Sequence, residues 1–363
     1  MTNKWIYLMS SNSTEEYIID ILEMLAMPFG SVQHFRYQLK WLDKELRSKL
    51  PVEGLSQTSE LKNRRVVICY LYQEKSDSGW QWVAVYPIRT GILIDAYKTG
   101  DKEEDISHFY FKVNNYISYK RQDFTNTFKN CEKWGKFYAF LDTILNDEHI
   151  AKKEHSKSAF HTICNSLSFE HLKSPEGNEY FPIYCFVDGL RDRKGEILVP
   201  KYDPLTHKSF HEIAEGEYYS FGFSTYFILP PPQYKIELVS DEKVFSSPDI
   251  YELKASSRYD EESWAIVSRF LERDIWTSLF FKTQLPDKDS KESLNIHLKF
   301  PIRVKRKILY RVIDVASDIC LVIGTGAIAL KAAVPQNTWW HLPAIFGYAA
   351  FAICKIIIKF WRG

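Results

Sequence analysis

Apolar and polar positions follow two regimes along the chain. Through residue 306 the apolar runs are short and rich in aromatics, as in half-buried strands; beyond it stand two long apolar stretches with few charges. KWIYLM at 4–9 predicts a strand. Ser13 with Glu16 three residues on predicts a capping box, and Ile18, Ile21, Leu22 and Leu25 then share one helical face until Pro28 and Gly30 end it. Residues 32–50 fit two periods. Phe35, Tyr37, Leu39 and Trp41 alternate as in a strand, whereas Phe35, Leu39, Leu42 and Leu46 fit a helix; a strand through Trp41 followed by a short helix reconciles them. RVVICYLY at 65–72, SDSG at 76–79 and WQWVAVYPI at 80–88 predict a hairpin, with a further strand pair near 91–97 and 107–113. A helix is predicted over 134–145. The charged stretch 146–158 predicts a linker between an N-terminal α+β domain (1–150) and a strand-rich second domain (151–306). In the latter, strands are predicted at 179–188, 217–229 and 234–239, with Pro230, Pro231 and Pro232 in a connection or at an edge. Trp264, Ile266, Val267, Phe270 and Leu271 fit a helix packed on a sheet. A polar loop at 285–293 precedes a last strand at 294–300.

The tail, 307–363, has a different pattern. Segments 312–334 and 342–360, of 23 and 19 residues, are each about the length that crosses roughly 30 Å of hydrocarbon as a helix. The turn at 335–338 is followed by Trp339 and Trp340, which suit an interfacial aromatic belt, with Trp361 at the other face. The fold class is therefore α+β: a strand-rich, two-part cytosolic region followed by a C-terminal two-helix transmembrane hairpin. Lys299, Arg303, Lys305, Arg306, Lys307 and Arg311 precede the first helix, and Lys355, Lys359 and Arg362 close the second. By the positive-inside rule the N-terminal region and the C-terminus are both cytoplasmic, in a multi-pass protein of the inner membrane. The six-residue basic cluster reads equally as a topology signal and as a contact with anionic lipid. The uninterrupted apolar runs are short, 12 residues at 319–330 and 13 at 342–354, which allows a hairpin that is soluble until activated.

Charge sharpens this picture. The chain of 363 residues is 45% hydrophobic and 26% charged with a net charge of +1, which excludes a disordered or collagen-like chain and a wholly basic nucleic-acid-binding tail. No direct nucleic-acid binding is expected. The tail alone nets +4, leaving −3 for residues 1–306. Inside the hairpin, Asp314, Asp318, Lys331, Lys355 and Lys359 form a membrane charge layer. Setting Val334 opposite Leu342 brings Asp318 to Lys355 and Lys359, and Asp314 to Arg362. Two readings follow: ion pairs that fix the hairpin register, or charges facing the water-accessible interior of an oligomer. Gly324, Gly326 and Gly347 provide small surfaces for tight helix packing or self-association.

Sites for chemistry are scarce. Walker, GxGxxG, GxSxG and HExxH motifs are absent. His161, Cys164 and His171 lack a fourth zinc ligand. His207 and His211 read as surface histidines, and Arg191, Arg193 and Lys194 as a charged turn. The six cysteines form no CxxC pair and no signal-peptide-like run precedes them, which suits free thiols in a reducing compartment. No catalytic residue, metal or cofactor is expected, and the protein reads as a non-enzyme.

The layout as a whole, with HFRYQLKW at 34–41, SRYDEESW at 257–264 and the hairpin at 312–360, resembles the transmembrane effectors of prokaryotic immune systems. It is most similar to those associated with prokaryotic Argonautes. The resemblance implies an antiviral, abortive-infection effector. A nucleic-acid-sensing partner such as an Argonaute activates it, after which it engages anionic lipid, oligomerises and permeabilises or depolarises the membrane. A cyclic-nucleotide-activated effector, a tail-anchored scaffold or receptor without pore activity, and a membrane-bound enzyme stand as alternatives.

Overall fold

The computed structural model describes residues 4–54, 59–117, 121–144, 153–154, 157–167, 183–227, 234–241, 244–246, 250–253, 259–268, 274–284, 297–334, 339 and 341–362. It shows a mixed, strand-rich α+β region followed by two C-terminal helices that pack together.

The first sheet contains β1 (Trp5–Ser11), β2 (Val32–Gln38), β3 (Arg65–Ser76), β4 (Gly79–Lys98), β5 (Ile106–Ile117), β6 (Ala139–Asp142) and β7 (Lys153–Glu154). Its order is β2-β5-β4-β3-β1-β6, with β7 on β5 and with β1 parallel to β3. The continuous apolar run of β3 is explained by burial on both faces. Val66, Ile68 and Tyr70 point into one core with Ile6 and Leu8 of β1. Val67, Cys69 and Leu71 point into a second with Trp5, Tyr7 and Met9. Helix α1 (Glu15–Ala26) covers the first face and α3 (Arg121–Lys129) the second, through Phe124 and Phe128; the short α2 (Lys44–Ser48) sits beside β6. The β3–β4 turn closes at Gly79, whose φ of +113° a side chain would oppose.

Buried Arg89 ties α1 to the sheet. Its guanidinium donates to the Met24 and Met27 carbonyls at the C-terminal end of α1 and to Asn114 O, at 2.5–3.1 Å, and lies 4.3 Å from the Tyr116 ring. A cation here satisfies carbonyls that the helix end leaves open.

The second part contains α4 (Lys157–Ser166) and two facing sheets. One has the order β13-β15-β11-β8: β13 (Phe245–Ser246), β15 (Tyr259–Ser268), β11 (Tyr218–Phe227) and β8 (Ile183–Arg191). The other has the order β14-β12-β16-β17-β10-β9: β14 (Ile250–Leu253), β12 (Tyr234–Val239), β16 (Ile275–Gln284), β17 (His297–Lys305), β10 (Lys208–Ala214) and β9 (Lys201–Asp203). Phe221 and Phe223 of β11 meet Phe281 and Phe300 across the gap, as in a sandwich. The core that starts under α1 continues through α4 and β8 into this sandwich.

Several elements differ from the sequence reading. Ser13 does not cap α1: the N-cap is Thr14, and Ser13 Oγ instead meets Ser11 Oγ at 2.8 Å. The helix predicted over 134–145 is a turn followed by β6, because Gly135 at φ +75° leaves the right-handed helical region. The segment around Trp264 and Ile266 is strand β15, paired antiparallel with β11, not a helix. Pro230–Pro232, most of the 146–158 linker and the 285–293 loop lie outside the described residues.

Helix α1 also carries a pH dependence. Burial pushes the Glu23 carboxyl up to about 7, with neighbouring Asp20 adding to the rise. Burial likewise takes Asp20 to about 6 against the opposing pull of Ser10 and Arg36. Unfolded, both ionise near their ordinary values of 4.5 and 3.8. Their contribution is therefore fully present below about pH 4 and is lost as the pH rises to about 7, where the folded acids also ionise. Glu23→Gln is expected to gain on the parent over that window, by of the order of 2 kcal/mol at pH 8. Paired thermal melts at pH 4.5 and 8 measure the difference; an equal gain at both pH values contradicts the account.

Candidate functional site: a hairpin held by an ionic collar

Strand β17 leads directly into helix α5 (Ile308–Ala333), which packs on α6 (His341–Arg362). The segment Val312–Ala333 is long and apolar enough to cross a membrane, and only 17% of it is buried in the protein. A core helix of a soluble protein would bury most of that surface. Instead Val315, Val322, Ile345, Phe346 and Ile356 face outward, each more than half exposed. The apolar stretch of α6, His341–Ile357, is shorter. A hairpin of this kind, with its apolar side chains outermost, is suited to a lipid environment.

Glycine sets the distance between the helices. A Cβ on Gly347 would lie 2.7 Å from the backbone O of Cys320 and the backbone N of Gly324, so the two backbones are in direct contact. Gly324 packs against the Tyr348 ring, where a Cβ would sit at 3.2 Å. Gly326 faces away from α6 with nothing within 4 Å.

The charge pairing across the two helices differs from the expected one. Asp314 meets Lys355 at 3.4 Å and also Arg306; the expected partner Arg362 has its side chain outside the described residues. Asp318 is exposed among the outward Val315, Ile319 and Val322, and no ion pair of Asp318 occurs among the described residues. Lys331 Nζ lies 3.0 Å from His341 Nδ1 near the turn. Trp339 is 75% exposed beside it. Trp340 and the side chains of Arg311, Lys359, Trp361 and Arg362 lie outside the described residues.

The described members of the basic cluster before the hairpin do not form a free cationic band. Arg303 pairs with Asp274 at 3.5 Å, Lys305 with Glu212 at 2.7 Å and Lys307 with Glu217 at 2.7 Å. Lys299 lies over the Phe280 ring, 5.5 Å from its centroid. Arg306 is the centre of the collar. It pairs with Glu215 at 3.9 Å on one side and with Asp314 of α5 on the other. Glu215 is fully buried in the turn after β10, and its Oε1 accepts from the Lys307 backbone N–H at 3.0 Å. Lys307 is the N-cap of α5 and provides no side-chain cap itself. Glu215 thus supplies an acid to an otherwise uncapped helix start. The collar joins β10, β17, α5 and α6 through one chain of charges, Glu215–Arg306–Asp314–Lys355. Sequence reasoning missed Glu215, Glu212, Glu217 and Asp274, which are distant in the chain and sit in no recognisable motif.

The histidines also depart from expectation. His207 occupies a turn at φ +52°, but His211 is not a surface residue: it lies within β10, 3% exposed. Arg191 folds back on Asp188 in the charged turn at the end of β8. His161 and Cys164 lie on α4, and His171 is outside the described residues. Among the described residues no group of three His, Cys, Asp or Glu side chains is placed to hold a metal. No family model matches this chain, and none of the curated proteins does.

Proposed function

We propose that the protein is a membrane-disrupting effector of a prokaryotic antiviral, abortive-infection system, activated through a cytosolic nucleic-acid-sensing partner such as an Argonaute. The observation that carries the reading is Asp318, an exposed carboxylate on the outward apolar face of the hairpin. A plain anchor gains nothing from a charge there, which costs about 3 kcal/mol in lipid unless it is paired or hydrated. Assembly of several hairpins would surround it with protein and water. In this reading the soluble region and the C-terminus are cytoplasmic, the hairpin spans the inner membrane, and the collar holds it to the body until the partner engages. Anionic lipid is then met by whichever bases leave their carboxylates. The protein works without catalysis or a cofactor.

A second reading, a tail-anchored scaffold, draws support from the engaged state of Arg303, Lys305, Arg306 and Lys307, which makes the junction rigid. Induced expression with and without the neighbouring genes, followed by a membrane-potential dye, separates the two. Depolarisation of activated cells, and its loss in Asp318→Asn at equal membrane abundance, is the expected result. Cells that stay polarised on activation, or an undiminished response in the variant, would favour the scaffold.

A further inference from the structure

We propose that the cleft between the first sheet and the β9–β10–β17 edge of the sandwich binds a soluble nucleotide. The cleft has a volume of about 290 Å³, at the lower end of small-molecule sites, roughly 300 Å³. Its defining residue is His211. The side chain is 97% buried, it lines the cleft, and its Nδ1 has no partner in the structure. A buried imidazole nitrogen left unbonded is costly, and a hydrogen-bond partner from a ligand would remove that cost. Burial lowers its pKa to about 4, against the effect of a hydrogen bond to the Leu198 backbone, so the ring is neutral and Nδ1 calls for a donor such as a ribose hydroxyl or a base amino group.

The rest of the lining fits the rest of a nucleotide. Lys208 and Lys299 line both this cleft and the adjoining one, where Asp241 is the acid and Lys299 Nζ lies over the Phe280 ring. Both are exposed, and a phosphate bound in this cleft would draw their ammonium groups toward it. Val32 and Pro301, both half-buried, supply apolar surface for a base. The wall is closed by a stack of rings: Tyr110 lies between His34 at 4.3 Å and His207 at 4.5 Å, and the Tyr202 hydroxyl holds His207 Nδ1 at 2.8 Å.

A lipid headgroup also combines phosphate with a hydroxyl, but the position disfavours it. From Phe300 in the cleft to Lys305 at the collar, β17 covers five residues, roughly 17 Å at 3.3 Å per residue. A headgroup at the membrane end of α5 does not span that distance. The same strand carries both the cleft and the collar, which places a ligand where it bears on the junction with the hairpin. The binding site stands independently of any membrane-disrupting activity.

The test is calorimetric titration of the purified full chain in detergent micelles with the four ribonucleoside 5′-monophosphates and their 3′,5′-cyclic forms. Parallel arms use inorganic phosphate and phosphatidylglycerol vesicles. Saturable binding of at least one nucleotide is expected, weakened about tenfold or more in Lys208→Ala/Lys299→Ala and abolished in His211→Phe. Both lysines are exposed, so the double variant reports on binding even if the histidine variant misfolds. The proposal is overturned if no nucleotide binds, if inorganic phosphate binds as tightly, if vesicles displace the nucleotide, or if the lysine variant binds unchanged.

Discussion

Arg306→Met is expected to destabilise the protein by about 3–5 kcal/mol, the usual cost of removing one partner from a buried ionic pair. The Arg306 side chain is 9% exposed and that of Glu215 is fully buried. Without the guanidinium, Glu215 retains its hydrogen bond from the Lys307 N–H but loses the Arg306 charge, while Asp314 keeps its pairing with Lys355. The thermal midpoint in micelles should fall by about 5 °C. Amide exchange over 306–312 should accelerate more than exchange in β3 and β4, because the junction opens before the sheet does. A second substitution distinguishes an ionic role from a packing one. In Arg306→Met/Glu215→Leu both buried charges are gone, and most of the lost stability should return, since well-packed apolar pairs often replace buried ion pairs at no cost. A double variant as unstable as the single one would mean that the collar works through shape. A single variant within about 1 kcal/mol of the parent would mean that Arg306 is an ordinary surface base.

Strands β10 and β17 connect the cleft to the collar. Glu215 belongs to the turn after β10, and β10 runs parallel to β17 with Ile213 opposite Val304. Lys208 and His211 sit on that same β10, and Lys299 on β17. A change in the pairing of these two strands therefore moves the cleft residues and the helix cap together. Coupling of this kind requires two arrangements of the strand pair with similar free energy, and a ligand that prefers one of them by its contacts.

The extent to which the chain announces its structure varies by region. The β3–β4 hairpin was readable because its signal is local: two apolar, β-branched and aromatic runs separated by a polar turn ending in Gly79. Helix α1 was readable from Ile18, Ile21, Leu22 and Leu25, all buried as their spacing required. The two C-terminal helices were readable from length and apolarity alone. β15 was not, because Trp264, Ile266 and Val267 fit a helical face as well as a strand, and the outcome was set by pairing with β11, some forty residues earlier in the chain. β6 was lost for a smaller reason: Trp134, Phe137 and Leu141 fit a helix, but the positive φ at Gly135 interrupts it. At the candidate site the bases were visible and their partners were not. Arg306 and Glu215 are 91 residues apart, joined only because β10 and β17 are neighbours. His211 was misjudged for the same reason, since its burial follows from a place inside the sheet that local composition does not reveal.

Gly347→Leu should have the second large effect, on the hairpin itself. The new side chain starts at a Cβ only 2.7 Å from Cys320 O and Gly324 N and 2.9 Å from Gly324 Cα. All three are backbone atoms of α5, so no rotamer change clears the way, and the helices must separate by about an ångström to reach normal contact near 3.5–4.0 Å. Separation also lengthens the 3.4 Å contact between Lys355 and Asp314 and withdraws Tyr348 from Gly324. Overpacking commonly costs about 1–3 kcal/mol, and a backbone-to-backbone contact places this site at or above the upper end. Gly326→Leu is the matched control: its Cβ meets nothing within 4 Å, so the same added volume on the same helix pair should leave the melt within about 0.5 kcal/mol of the parent. Gly347→Ala should fall between the two, because its Cβ makes the same contact with less volume behind it. Thermal melts of the three variants in micelles, read by tryptophan fluorescence, give the ranking. If Gly347→Leu and Gly326→Leu are equally stable, the close approach of the helices at Gly347 is not what holds them together. The register of Asp314 against Lys355 would then have to come from contacts other than this one.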